Sequence, residues 1–438
     1  MNFTYAPLMP DPIEAARRAV AFNPKDPQAR ANLANALYSA GRFAEAADAF
    51  AEASKLAPQD PMLRGNLGIS LAKSGRAAEA APILHEVAQH PQASHVPEVF
   101  YNLGNCLRLL FRLEEAVAAY TRAIDLRPDY ADGHWNRGLV LLLDGKFPDG
   151  WDEFEWRHWL PGRKPLPLIG PAWTGDVSRL PGKILLLAAE QGFGDTMQFV
   201  RYVPQLADAG ATVILVCQKE LQTLLRGTKG LSKILAPGDA IPRFDMHAAL
   251  MSLPRLMKTD LSNIPAATPY IFPDESKRTA WRDRLAALGP TRKVGIAWAG
   301  RPTHQNDANR SMKLADFAPL AAVPGITWLS LQKGPAAEQI KSSGRALPLH
   351  DWTPELNDFA DTAALVAELD LILTVDTAMS HLAGGLGKPV WTLLPTVPDW
   401  RWLLARDDSP WYPTMRLFRQ PTPGDWKSVM EMVGRALA

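Results

Sequence analysis

At 438 residues, with 47% apolar and 21% charged side chains, the chain has an ordinary globular composition and is long enough for two or three domains. The formal net charge of +1 gives no global pull toward nucleic acid or an acidic membrane surface, and two cysteines, Cys106 and Cys217, exclude a disulfide framework or a cysteine zinc cluster. Met1–Pro12 lacks a basic stretch followed by an apolar one, and no window reaches the roughly 18–20 apolar residues of a membrane span. A soluble, cytoplasmic protein is expected.

The first predicted element is a helix from Ile13 to Phe22, closed by Pro24. After it, a set of residues recurs with a step of about 34. Asn32-Leu33 returns as Asn66-Leu67-Gly68 and Asn102-Leu103-Gly104, then as Asn136 with Gly138. Gly41 returns as Gly75 and Gly145; Glu45-Ala46 returns as Glu79-Ala80 and Glu115-Ala116. Phe50, Leu84, Tyr120 and Phe154 hold one equivalent position, and two extra residues fall near His90–Val96. Such a unit reads as two antiparallel helices, with small residues where helices approach and large ones filling the gaps. Pro58 and Pro128 end second helices, because proline cannot continue the hydrogen-bond ladder. The period and pattern resemble the tetratricopeptide repeat (TPR), here an orphan helix plus about four repeats over residues 1–160. Stacked repeats of this kind present a concave groove for a peptide or protein.

Beyond Trp156 the pattern changes. Pro161, Pro165, Pro167, Pro171 and Pro181 break any helix and mark a connecting segment. Short apolar runs then alternate with helical patterns: Ile184–Leu187, Thr212–Val216, Val294–Ala297, Leu371–Val375 and Val390–Leu394. Unbroken apolar strands separated by helices predict parallel sheets covered on both faces. Two such blocks are expected, joined by a stretch containing Pro265, Pro269 and Pro273.

Ligands of parallel sheets bind beyond the carboxyl ends of the strands, and three loops lie there. Ala189–Thr196 carries Gly192 and Gly194 before Asp195, a residue that a helix N-cap would equally explain. Ala299–Ser311 is dense in polar donors; Trp298, Arg301 and Arg310 suit a phosphate-bearing ligand. Val375–Pro389 leads from a strand into a small-residue helix beginning at Asp376 or Thr377, whose positive end would hold a diphosphate. The plainer account of that turn is a helix capped by Asp376, with His381 as a satisfied core histidine.

Asp376–Leu394 resembles the donor-site signature of the heptosyltransferase-like, family 9 glycosyltransferases, and Gln191–Pro204 resembles their first loop. The resemblance spans roughly residues 170–438, and the overall layout is similar to the protein O-linked N-acetylglucosamine transferases. It implies a GT-B fold of two Rossmann-like halves, 161–275 on the acceptor side and 276–438 on the nucleotide-sugar side. A C-terminal helix near Trp426–Leu437 often crosses back in such folds. The resemblance also implies Asp195 as general base, with Asp376, Thr377 and His381 at the nucleotide sugar; Ala378 stands where many relatives have glycine. The family's phosphate-binding lysine has no certain counterpart, and Arg310, Lys313 or Lys333 can substitute.

The expectation is thus an inverting transferase with no cofactor beyond its nucleotide-sugar co-substrate and no metal. Its TPR groove would recruit a protein acceptor; no nucleic acid or membrane span is expected, and a homo-oligomer is possible. Gly194 would allow close approach to the ligand, Arg310, Lys333, Thr377 and Ala378 would hold phosphates, and Asp376 would bind hydroxyls. His381 would orient the turn or touch the diphosphate. The alternatives are a TPR adaptor with an inactive transferase domain, and a transferase for a glycolipid or lipopolysaccharide. If Asp195 were only a cap, His304 or Glu190 would be the next candidate base.

Overall fold

The computed structural model describes residues 11–162, 169–304, 306–343 and 347–438. Residues Met1–Pro10, Pro165, Pro167 and Gln305, named above, lie outside them. The chain divides into two compact units, residues 1–144 with 152–163, and residues 145–151 with 164–438.

Among its described residues, the repeat unit contains helices and no strand. They are α1 (Pro12–Phe22), α2 (Pro27–Ser39), α3 (Phe43–Leu56), α4 (Pro61–Lys73), α5 (Ala77–Gln89), α6 (Pro97–Leu109), α7 (Leu113–Leu126), α8 (Ala131–Leu143) and the end of α9 (Phe147–Phe154). An Asp-Pro pair starts three of them: Asp11, Asp26 and Asp60 each accept a backbone N–H of the first turn, and the following proline takes the first helical position. Within the repeats, a side-chain carbon added at Gly104 would lie 2.7 Å from the Tyr120 ring, and one at Gly68 would lie 2.7 Å from Leu84. The glycines therefore set how closely paired helices approach. Gly41, Gly75 and Gly145 turn the chain at φ of 75°, 84° and 77°, a region open mainly to glycine, and Phe111 takes the equivalent turn at 59°.

Residues 145–151, expected within the repeats, group with the α/β unit. There Trp151 donates its indole N–H to the Thr259 carbonyl at 2.9 Å and meets the Trp400 ring edge-on at 5.1 Å.

The α/β unit holds two separate, wholly parallel sheets. The first runs through β1 (Ile184–Ala188), α10 (Phe193–Phe199), α11 (Val203–Asp208), β2 (Thr212–Val216), α12 (Lys219–Leu225), β3 (Leu231–Leu235), β4 (Met246–Ala249) and α13 (Leu253–Leu256). Its strand order is β3-β2-β1-β4. After α14 (Glu275–Ala286) the second sheet begins with β5 (Arg292–Ala297), α15 (Asp307–Arg310), β6 (Ile326–Ser330), α16 (Gln339–Ser343) and β7 (Leu349–Asp351). It continues with α17 (Phe359–Ala367), β8 (Leu371–Val375), α18 (Ala378–Gly385), β9 (Val390–Leu394), β10 (Met415–Arg419) and α19 (Trp426–Leu437). Here the order is β10-β9-β8-β5-β6-β7. All five residues of β8 are buried, as a strand covered on both faces requires.

In each sheet the chain reverses its direction of travel across the strands once, between β1 and β4 and between β5 and β8. Crevices form at such switch points, beyond the carboxyl ends of the strands. This topology selects the loops after β1, β4, β5 and β8, which include the three singled out from the sequence. Against the expected crossing, α19 stays with its own sheet: Val429, Met430 and Val433 are buried in the core that includes Val294, Phe317 and Phe418.

Candidate active site

The loop after β1 brings Asp195 to the first turn of α10, but not as its N-cap. Gly192 holds the cap position, and Asp195 Oδ2 reaches back to accept the Gly192 N–H at 2.8 Å. Its other oxygen, Oδ1, lies 2.5 Å from Arg401 Nη2, with the two side chains 20% and 8% exposed. Gln218 fastens the same loop, donating from Nε2 to the Gln191 carbonyl at 2.6 Å.

Arg401 comes from the loop after β9, where Asp399 caps a short turn, Trp400–Trp402. The guanidinium also reaches Asp399 Oδ1 at 2.9 Å and Gln198 Oε1 at 2.5 Å, and it lies 4.3 Å from the Trp400 ring centre. A buried charge persists where its hydrogen bonds are met; here two carboxylates and an amide meet them. The next turn is strained. Leu403 adopts φ 52°, ψ −167°, a conformation costing about 1–3 kcal/mol for a residue with a side chain. Burial of Trp402 and Leu403 holds it in place.

At the second switch point β8 ends in Val375. Thr377, not Asp376, is the N-cap of α18: its Oγ1 accepts the Met379 N–H at 3.2 Å, and Ala378 opens the helix. Asp376 is buried instead. Loss of solvent, then the charge of Asp399, pushes its carboxyl up to about 6, while Arg310, the Trp402 indole and Arg401 oppose that rise. Arg310 reaches across from the loop after β5 and donates from Nη1 to the Asp376 carbonyl at 2.9 Å. It passes directly over Gly300, where an added side-chain carbon would lie 2.6 Å from Nη2. Arg310, Asp376, Thr377 and Ala378 therefore do come together, at the positive end of a helix.

Three candidates have other occupations. The space above Gly194 is filled by His381, whose Cδ2 would lie 2.6 Å from an added carbon, so the closeness Gly194 permits is that of α10 to α18. His381 is buried, bonded through Nδ1 to the Tyr412 hydroxyl at 2.8 Å and stacked on Trp402 at 5.5 Å. Burial first, then Arg401, Arg201 and Arg310, holds its pKa well below the usual value, which keeps it neutral. Lys333 is engaged elsewhere, donating from Nζ to the carbonyls of Thr353, at 3.1 Å, and Leu356. Trp298, grouped above with Arg301 and Arg310 as suited to a phosphate-bearing ligand, is fully buried.

His304, the alternative base, lies in the field of Arg310, Asp399, Asp307 and Asp195; burial and Arg310 lower its pKa. Sequence reasoning missed Arg401, Asp399 and Tyr412. The run Pro398-Asp399-Trp400-Arg401-Trp402 follows a strand that was recognised, so the same carboxyl-end rule points to it.

Fold and site together define a helical repeat array followed by a doubly wound α/β unit with polar residues gathered at its switch points. In comparison with known families, residues 13–61 and 32–94 match a tetratricopeptide repeat model, and residues 112–145 match a second TPR repeat model. The repeat unit is a TPR array. The chain is 27% identical over 373 residues to the protein FlbA of Caulobacter vibrioides, covering 79% of this chain and 62% of that protein. It thus spans less than two thirds of the length of this curated relative. Among solved structures, it is similar to a family 9 glycosyl transferase from Veillonella parvula: 13% identity, TM-score 0.45, covering 59% of this chain and 96% of that one. YrrB, described as a TPR protein with an unusual peptide-binding site, matches at 19% identity and TM-score 0.30, over 34% of this chain and 76% of its own.

Proposed function

We propose that the protein is an inverting, metal-independent glycosyltransferase of GT-B type, using a nucleotide sugar and a protein acceptor recruited by the TPR array. The carrying observation is the meeting of Arg310 with the Asp376–Ala378 turn at the β5/β8 switch point, on the N-terminus of α18. In this reading the half from 276 to 438 takes the nucleotide sugar and the half from 161 to 275 faces the acceptor. The helix end and the Arg310 guanidinium offset the charge of the leaving diphosphate. Lys333 joins them only by leaving the carbonyls it now serves.

Asp195 serves as the base. Each carboxylate oxygen has two lone pairs; Oδ1 already accepts from Arg401 and Oδ2 from Gly192. Each therefore retains a second acceptor direction for the incoming hydroxyl. As the sugar carbon is attacked, the hydroxyl proton passes to Asp195, the new glycosidic bond forms, and the bond to the diphosphate oxygen breaks. Arg401 then has a second task, keeping Asp195 turned toward its own half's loop.

That double engagement also favours a second reading. A carboxylate that both accepts the Gly192 N–H and pairs with a buried arginine has a sufficient structural role, which suits a TPR adaptor without transferase activity. Incubating the protein with radiolabelled nucleotide sugars and cell extract separates the readings. Label on a protein band is expected; label in the lipid fraction would identify a glycolipid acceptor, and label on neither would favour the adaptor.

A further inference from the structure

At the β10 edge of the second sheet, the strand and α19 border an open cavity of about 530 Å³, lined by Arg406, Asp407, Arg416, Arg419 and Arg435 with Phe418 among its apolar wall residues. The arginines differ in their surroundings. Arg406 is taken up by Asp408 in a two-pronged ion pair at 2.6 and 2.7 Å. Arg416 lies over the ring of Phe418 at 4.7 Å and near that of Trp391 at 5.7 Å, and forms no ion pair among the described residues. Arg419 donates from Nε to the Arg406 carbonyl at 3.0 Å and from Nη2 to the Trp402 carbonyl at 2.6 Å. Its Nη1 is buried and has no hydrogen-bond partner among the described residues.

Buried guanidinium N–H groups are normally satisfied. With Arg406 neutralised, the guanidiniums of Arg416, Arg419 and Arg435 stand against the single carboxylate of Asp407 among the cavity-lining residues. That is an excess of two positive charges. Burial, with the charge of Arg406, lowers Arg419 to about 10, which still leaves it cationic at neutral pH. Arginine's planar fork matches phosphate and carboxylate oxygens.

We propose that this cavity is a second binding site, for a small di- or trivalent oxyanion held between Arg416 and Arg435 with Arg419 supplying charge at its inner wall. Phosphate esters and polycarboxylates share this chemistry. None of the residues lining it belongs to the Asp376–Ala378 turn, and the proposal does not depend on the transferase reading.

The test is calorimetric titration of the full-length protein with inorganic pyrophosphate and, separately, citrate, at low salt. The wild type and Thr377→Asp, which carries added negative charge at the α18 turn, are both expected to bind. The double variant Arg416→Ala/Arg435→Ala is expected to bind at least about ten-fold more weakly, and Arg416→Lys/Arg435→Lys, which keeps the charge if the alanine pair fails to fold, to bind at an intermediate level. Tighter binding of pyrophosphate assigns the site to phosphate compounds, and tighter binding of citrate to carboxylates. Wild-type protein that binds neither probe, or arginine variants that bind both as well as wild type, would overturn the proposal.

Discussion

The two units use the same packing device for different ends. In the repeat array Gly104 lies beneath the ring of Tyr120, and in the α/β unit Gly384 lies beneath the ring of Tyr412, with an added carbon 2.7 and 2.4 Å from the respective rings. Tyr120 ends locally, its hydroxyl donating to Asn105 at 2.8 Å. Tyr412 instead holds His381, which fills the space against Gly194 and so ties α18 to α10. In the repeats, a close contact defines only the spacing of neighbouring helices. In the α/β unit it is connected to the residues at both switch points.

The largest effect that separates the units belongs to Asp195→Asn. Transfer is expected to fall by about two to four orders of magnitude, while donor binding, measured by calorimetry, persists. Melting should drop modestly, because Arg401 loses one of its two carboxylates but keeps Asp399. Near wild-type transfer would reduce Asp195 to a structural latch and direct attention to His304.

Next come the two glycines. Gly104→Ala and Gly384→Ala each force a ring aside, with an expected cost of about 1–3 kcal/mol in denaturant unfolding. Only Gly384→Ala should also weaken nucleotide-sugar binding, through Tyr412 and His381. Equal donor affinity in the two variants would dissolve the distinction drawn between the units.

A smaller effect depends on pH. The fold raises the pKa of Asp376 from 3.8 to about 6, so it favours the protonated form. That preference contributes stability fully below pH 3.8 and loses it as pH rises through about 6. Asparagine resembles the neutral acid. Asp376→Asn should therefore melt close to wild type at pH 4 and on the order of a few degrees higher at pH 8; a difference independent of pH would mean that Asp376 does not titrate in this window. The smallest effect is expected on the repeat surface. Arg112 and Glu115 form an exposed pair at 2.6 Å, matching Arg42–Glu45 and Arg76–Glu79 at 2.5 and 2.6 Å. Glu115→Ala should leave melting unchanged, since exposed pairs contribute little.

The units also differed in how much their sequence disclosed. The repeat helices were legible because each contact recurs at one period, so Gly68 with Leu84 announces Gly104 with Tyr120. Five strands were legible from unbroken apolar runs. β3 was not, since exposed Ser232 and Lys233 interrupt its apolar run, nor was β7, which has only three residues. Of the site, the loops were legible because topology puts ligands at strand ends. The roles of Gly194 and Lys333 were not. They depend on partners distant in sequence, His381 and the carbonyls of Thr353 and Leu356, which no local pattern foretells. The Asp195–Arg401 pair joins residues from different halves and was hidden for the same reason.

In the proposed function, a nucleotide sugar binds at the N-terminus of α18. Thr377→Asp tests it most directly, because aspartate caps a helix as well as threonine while placing a negative charge beside the diphosphate. Calorimetric titration with a panel of nucleotide sugars should find a donor that binds the wild type; at a hundred times its dissociation constant that donor should raise stability by about 2.7 kcal/mol. Thr377→Asp is expected to melt like wild type and to lose this binding. A donor that binds the variant with unchanged affinity, or a panel from which no nucleotide sugar binds the wild type, would contradict it.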